Sequence, residues 1–216
     1  MVDFCESLAL PLKNNIHSDV KYFDFAKAFD SVDHDLILKK LKSNFGIDSL
    51  LLDFLKNYLE NRNQAVVISG ATSSYLPVLS GVPQGSILGP TIFVLFSNDI
   101  TSGLNNETKI MMYADDTKIW RQVSRYNDHL KLQGDIDYLL EWSIRNEMKF
   151  LPSKCKVLMV SRFNPCIQFF FYLGNSLLNY TKSEKYLHIF INRTFDFTEH
   201  TNYLYSRANQ RTNIKT

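Results

Sequence analysis

The chain has 216 residues, room for one large domain or two small ones, and 45% hydrophobic with 21% charged residues is an ordinary globular composition. A formal net charge of +2 provides no global basic field, so any surface for nucleic acid must be local. Three scattered cysteines, Cys5, Cys155 and Cys166, lack zinc-ligand spacing and point to reduced thiols in an intracellular protein. The first fifteen residues show no basic segment followed by a long apolar run, so no secretory leader is expected. The apolar run around Thr91 to Phe96 is too short to span a bilayer, so no membrane partner is expected either.

In chain order, residues 20 to 25 read as a buried or half-buried strand interrupted only by Asp24. Ser31 or Asp33 caps a helix that runs to about Asn44 and stops at Gly46, with Leu36, Ile37 and Leu41 on one side. A second helix is expected from Leu50 to Glu60, turning Leu51, Phe54, Leu55 and Tyr58 inward. Gln64 to Ser69 and Ser74 to Leu79 form a hairpin, and a Gly/Pro-punctuated loop, Ser80 to Pro90, opens into an apolar helix from Thr91 to Ile100. Residues 109 to 122 make a second hairpin. A long helix follows from about Asn127 to Asn146, carrying Leu130, Ile136, Leu139, Leu140 and Ile144. Strand-like runs follow at Cys155–Val160, Ile167–Leu173, Ser176–Leu178 and Tyr186–Ile191, with a weakly periodic helix from Thr198 to Asn209. The fold class is α+β: a small antiparallel sheet with helices packed on one face.

The chemistry concentrates at Tyr113-Ala114-Asp115-Asp116, where two adjacent carboxylates sit on the tip of the second hairpin. Like charges that close repel unless a cation neutralises them, and hard divalent ions take oxygen ligands they share with phosphates. An isolated Asp-Asp pair reads equally as a solvated turn. Asp24, at the end of a buried strand, also needs a cation or hydrogen bonds.

Three segments carry a resemblance: Asp24-Phe25-Ala26-Lys27-Ala28-Phe29-Asp30, Gly81-Val82-Pro83-Gln84-Gly85-Ser86-Ile87-Leu88-Gly89-Pro90, and Tyr113-Ala114-Asp115-Asp116. In this order and spacing they resemble the reverse transcriptases of non-LTR, LINE-like retrotransposons. Residues 142 to 154 look like the next block of the same palm, and Lys185-Tyr186-Leu187-His188-Ile189 like its primer grip. The resemblance covers about residues 15 to 195.

The resemblance implies a polymerase palm that performs RNA-directed DNA synthesis on an RNA template with a DNA primer and dNTPs. Asp24, Asp115 and Asp116 would be the catalytic residues and the ligands of two Mg²⁺ ions, with Mn²⁺ as the other candidate. Phe25 and Ala26 would offer a backbone carbonyl and amides to the triphosphate. Phe29 would act as a sugar gate against the ribose 2′-hydroxyl, which distinguishes RNA from DNA building blocks. Gln84 would touch the incoming nucleotide or the template base. Lys154 would meet the departing pyrophosphate, although Lys154 on a solvated turn fits the residues equally well. Asp30 and Asp33 read as surface or helix-cap residues. Lys182, Lys185 and Arg193 are candidates for contacts to a duplex.

The pattern departs from the family at His188, where the family usually has Gly. Little of the chain precedes Asp24 and little follows Arg193. The expectation is therefore a partial palm over residues 1–195, a degenerate thumb-like tail over 196–216, and fingers and thumb largely missing. The alternative is a catalytically dead nucleic-acid-binding remnant of a retroelement.

Overall fold

The computed structural model describes residues 2–163 and 169–212. Cys166 and the start of the strand expected from Ile167 lie outside the described residues. The chain opens with helix α1 (Val2–Lys13), strand β1 (His17–Phe23), the single-turn helix α2 (Ala28–Ser31), and helices α3 (His34–Phe45), α4 (Ser49–Leu59) and α5 (Leu88–Ser97). Strands β2 (Lys109–Tyr113) and β3 (Asp116–Val123) precede helix α6 (Tyr126–Arg145). Strands β4 (Lys156–Val160), β5 (Asn179–Thr181), β6 (Ser183–Tyr186) and β7 (Ile189–Asn192) and helix α7 (Thr198–Thr212) follow, with a two-residue ladder of Tyr172–Leu173 on Ser176–Leu177 between β4 and β5.

Five strands form the main sheet in the order β5-β4-β1-β3-β2. β1 is central and antiparallel to both β3 and β4. The edge strand β5 runs parallel to β4, a departure from the all-antiparallel expectation. Alternation along each strand divides the apolar residues between two faces. Phe23, Ile119 and Val157 join the core under α6, where Leu132, Ile136, Leu139 and Trp142 repeat at helical spacing. Leu130 and Ile144 of the same helix stay exposed. Val20, Trp120, Leu158 and Val160 face the other way, onto α1 and the β6–β7 ribbon. Both faces are therefore covered, not one. α1, which no feature of the sequence reading assigned, docks through Phe4, Leu8 and Leu12 at a four-residue repeat.

Local rules place several boundaries. Asp33 caps α3 by accepting the Leu36 amide at 2.8 Å, and Gly46 ends it at a left-handed φ of 65°. α4 is rotated from its expected face. Leu55 and Leu59 are buried, while Leu50, Leu51 and Phe54 point to solvent, because α3 supplies cover along only one side. The hairpin beyond α4 reduces to two ladders of two residues each, Asn63–Gln64 on Leu76–Pro77 and Val67–Ile68 on Ala71–Thr72, all exposed. The apolar helix starts at Leu88 and passes into a 3₁₀ turn at Asn98–Thr101.

The run expected as one strand from Tyr186 to Ile191 is a tight ribbon turn. Leu187 and His188 both take positive φ, 46° and 69°. A left-handed backbone at His188 is the physical reason glycine suits that position. The tail is helical as expected, and Tyr203 of α7 packs its ring 5.2 Å from Phe190.

Candidate active site

β1 and β3 pair from His17 opposite Val123 to Phe23 opposite Thr117. Continuing this register by one residue sets Asp24 across from Asp116. β2 and β3 close with Tyr113 opposite Asp116, leaving Ala114 and Asp115 as the turn. Ala114 takes φ 55° to close it, an uncommon conformation for a residue with a Cβ. The pairing thus gathers Asp24, Asp115 and Asp116 at one end of the sheet.

Asp24 is anchored from the opposite side. Its carbonyl accepts the Leu151 amide at 2.8 Å, and the Ala26 amide donates to the Lys149 carbonyl at 2.7 Å. Between them Phe25 bridges to Phe150, with the rings stacked at 4.2 Å. Such a bridge turns the amide and carbonyl of Phe25 away from Phe150, toward the acid turn. The Ala26 N–H, expected as a donor to triphosphate, is hydrogen-bonded to the Lys149 carbonyl here.

Lys154 lies at the same end. Its Nζ is 3.4 Å from both Oδ atoms of Asp24. Phe29 is half-buried with its ring 4.7 Å from that of Phe93 on α5. Its carbonyl accepts the Val82 amide at 2.7 Å, so the residue is clamped between α5 and the Gly/Pro loop. That loop packs closely because Gly81 has φ 87°, and a Cβ there would sit 2.6 Å from the Phe29 carbonyl oxygen.

Gln84 is exposed and donates through Nε2 to Asp30 Oδ1 at 2.7 Å. Asp30, read from sequence as a surface residue, is therefore the group that orients Gln84. Spacing along the chain could not show that residue 30 reaches residue 84. Lys27, Asp30, Arg62, Gln64 and Gln84 border a polar cleft of about 710 Å³ beside this loop. Of the basic residues expected on a duplex surface, Lys185 lies over the Tyr203 ring and Arg193 donates to the Phe163 carbonyl at 2.6 Å.

The electrostatics follow from this crowding. Desolvation, then repulsion from Asp115 and Asp24, raises the Asp116 pKa from its ordinary value, against a smaller opposing pull from Lys118. Lys118 shares the face of Asp116 two residues along β3. Its side chain is fully buried, with Nζ 3.2 Å from the ring centroids of both Phe4 and Tyr186 and no hydrogen-bond partner among the described residues. Burial pushes its pKa down to about 7, against smaller upward pulls from Cys5 and Asp116. The two-residue period from Asp116 was the signal that could have found it.

The donor set suits a hard cation. Three carboxylates share one end of a sheet, one is pushed toward its neutral form, and among the described residues only one has a lysine as counter-ion. No three carboxylate, imidazole or thiol groups already converge in ligating geometry among the described residues.

The profile of the family described as "Reverse transcriptase (RNA-dependent DNA polymerase)" matches residues 13–202. The chain belongs to the reverse transcriptase family. It is 30% identical over 187 residues to the RNA-directed DNA polymerase from mobile element jockey of Drosophila funebris, covering 83% of this chain and 20% of that protein. The Drosophila melanogaster jockey polymerase is also 30% identical, over 88% of this chain and 21% of its own length. The chain thus spans about a fifth of the length of these curated relatives. The likeness to non-LTR reverse transcriptases expected from the three motifs holds.

Among solved structures, apo telomerase from Candida tropicalis, truncated from its C-terminal domain, superposes with a TM-score of 0.60 at 14% identity, over 91% of this chain and 39% of that one. Telomerase from Candida albicans, in complex with a fragment of telomeric RNA, gives 0.60 at 13% identity, over 91% and 32%. These likenesses establish the fold, a palm-like α+β reverse transcriptase core. The family generally uses divalent metal ions.

Proposed function

We propose that this reverse transcriptase chain carries the nucleotidyl-transfer centre of an RNA-directed DNA polymerase of a non-LTR retrotransposon. RNA template, DNA primer and dNTPs would be its substrates. The observation that carries the reading is the β1–β3 register, which brings Asp24 to the Asp115–Asp116 turn from a distant part of the chain.

In the reaction a primer 3′ oxygen attacks the α-phosphate of a dNTP and pyrophosphate leaves. Asp24, Asp115 and Asp116 would hold two Mg²⁺ ions, or Mn²⁺ in their place. When bound, such ions lower the pKa of the attacking hydroxyl and neutralise charge on the phosphates. The chain's own residues supply the rest. The Phe25 carbonyl and amide, turned away from Phe150, would offer a ligand oxygen and a phosphate donor. Phe29, fixed against Phe93, would meet the sugar and exclude a 2′-hydroxyl. Gln84, oriented by Asp30, would meet the nucleobase. Lys154 would provide positive charge, or a proton, to the leaving pyrophosphate.

Primer extension on a poly-rA template with Mg²⁺ or Mn²⁺ tests the reading. Extension that falls roughly 10²–10³-fold in Asp115→Asn supports it. Salt-dependent binding of primer–template with no extension favours a nucleic-acid-binding remnant instead.

A further inference from the structure

We infer that Lys154 is the resident counter-ion of Asp24, and that a divalent cation reaches Asp24 only by displacing the Lys154 ammonium. The inference rests on the reading of Asp24 as a metal ligand and adds a regulation of that site.

Three observations carry it. First, the ammonium sits symmetrically, 3.4 Å from each Asp24 oxygen. That is longer than a good N–H···O hydrogen bond, and the side chains are 61% and 32% exposed. A pair of this kind is weak and exchanges readily.

Second, the pair is built into the backbone. The turn that carries Lys154 hangs from Asp24 itself: the Leu151 amide donates to the Asp24 carbonyl at 2.8 Å, and the Lys154 amide to the Leu151 carbonyl at 2.9 Å. Buried Cys155 and Val157 pin the far side of the turn in the core. The lysine therefore cannot drift far from Asp24, but its exposed end is free to swing.

Third, Lys154 is the one basic side chain within ion-pair distance of Asp24 among the described residues. Lys156, two residues on, is committed to Glu184 at 2.9 Å. Asp115 and Asp116 have no lysine or arginine within ion-pair distance among the described residues. A divalent ion added at Asp24 with the ammonium still in place would face a like charge a few ångströms away. Ion binding and lysine release are thus one exchange, and each weakens the other by the same factor.

The test follows Mn²⁺ binding to the full chain through the electron paramagnetic resonance signal of free Mn²⁺. In parallel, the ¹³C shift of the Lys154 ε-methylene is followed on titration with Mg²⁺. Lys154→Met should bind Mn²⁺ about tenfold more tightly, a modest share of the Coulomb term for charges this close. Lys156→Met removes the same charge nearby and should leave affinity within about twofold. The Lys154 resonance of the wild type should move with Mg²⁺, and in Asp24→Asn it should start at the released position. Equal tightening by both methionine variants, or a Lys154 resonance that ignores Mg²⁺, overturns the exchange. Wild-type Mn²⁺ affinity in Asp24→Asn would instead remove Asp24 from the metal ligands, and with it the reading on which the exchange rests.

Discussion

Lys21 and Lys118 lie on adjacent strands of one sheet, each fully buried, on opposite faces. Under α6, Lys21 has an ionic partner: Asp19 Oδ2 is 3.2 Å away, and His129 Nδ1 lies 3.3 Å from the same oxygen. Burial acts to raise the Asp19 pKa, yet Lys21, His129 and His17 together outweigh it and hold the group at about 2. Burial lowers Lys21 to about 8 against the pull of Asp19. Under α1, Lys118 has two aromatic rings and, among the described residues, no carboxylate in contact. Cation–π contact offsets part of its desolvation but does not supply an opposite charge. The α6 face holds a buried, ion-paired cluster. The α1 face keeps an imperfectly compensated charge two residues from the acid turn.

Breaking the better-paired side should have the larger effect. Asp19→Asn strands Lys21 without a charge partner and should cost about 3–5 kcal/mol in denaturant unfolding. A loss below about 1 kcal/mol would show that the α6 cluster is not the stabilising side.

Lys118→Met should act in the opposite direction and raise stability at pH 7 by about 1 kcal/mol, since an apolar chain of similar length removes a poorly compensated buried charge. The pH profile sharpens this. Lys118 is at about 7 in the fold against 10.5 for a free lysine. Between these values the unfolded chain binds more protons, so wild-type stability rises with pH, and this contribution is lost as pH falls through about 7. The methionine variant should show a flatter rise over that window. An unchanged slope would place the titration elsewhere.

The smallest effect is expected at the ribbon covering Lys118. His188→Gly relieves a left-handed residue at φ 69° and should raise the melting temperature slightly, for a gain of about 0.5–1 kcal/mol. A loss would mean that the imidazole makes a contact worth more than the strain.

Much of this was legible in the amino-acid order. Asp33, with Ser31 as the alternative, and Gly46 mark the ends of α3, the paired carboxylates mark a hairpin tip, and the buried run ending near Asp24 marks a strand end. These signals are local: caps, turns and periodicities act over a few residues, so a linear reading reaches them. The motifs went further and carried the family. The face of α4 was misread because an amphipathic stripe shows only that a side is apolar, whereas the neighbour decides which apolar residues it covers. α1 is not legible in the sequence, because its Phe4, Leu8 and Leu12 repeat acquires meaning only from the sheet it docks on.

The decisive pairings at the site lie beyond any local rule. Asp30 with Gln84, Lys154 with Asp24, and Lys118 between Phe4 and Tyr186 join residues widely separated in the chain. The linear order chose the residue types, the turns and the family, because those depend on neighbours along the backbone. Folding alone settled which charge meets which, because electrostatic and packing energies depend on distances through space, and the order of residues does not contain those distances.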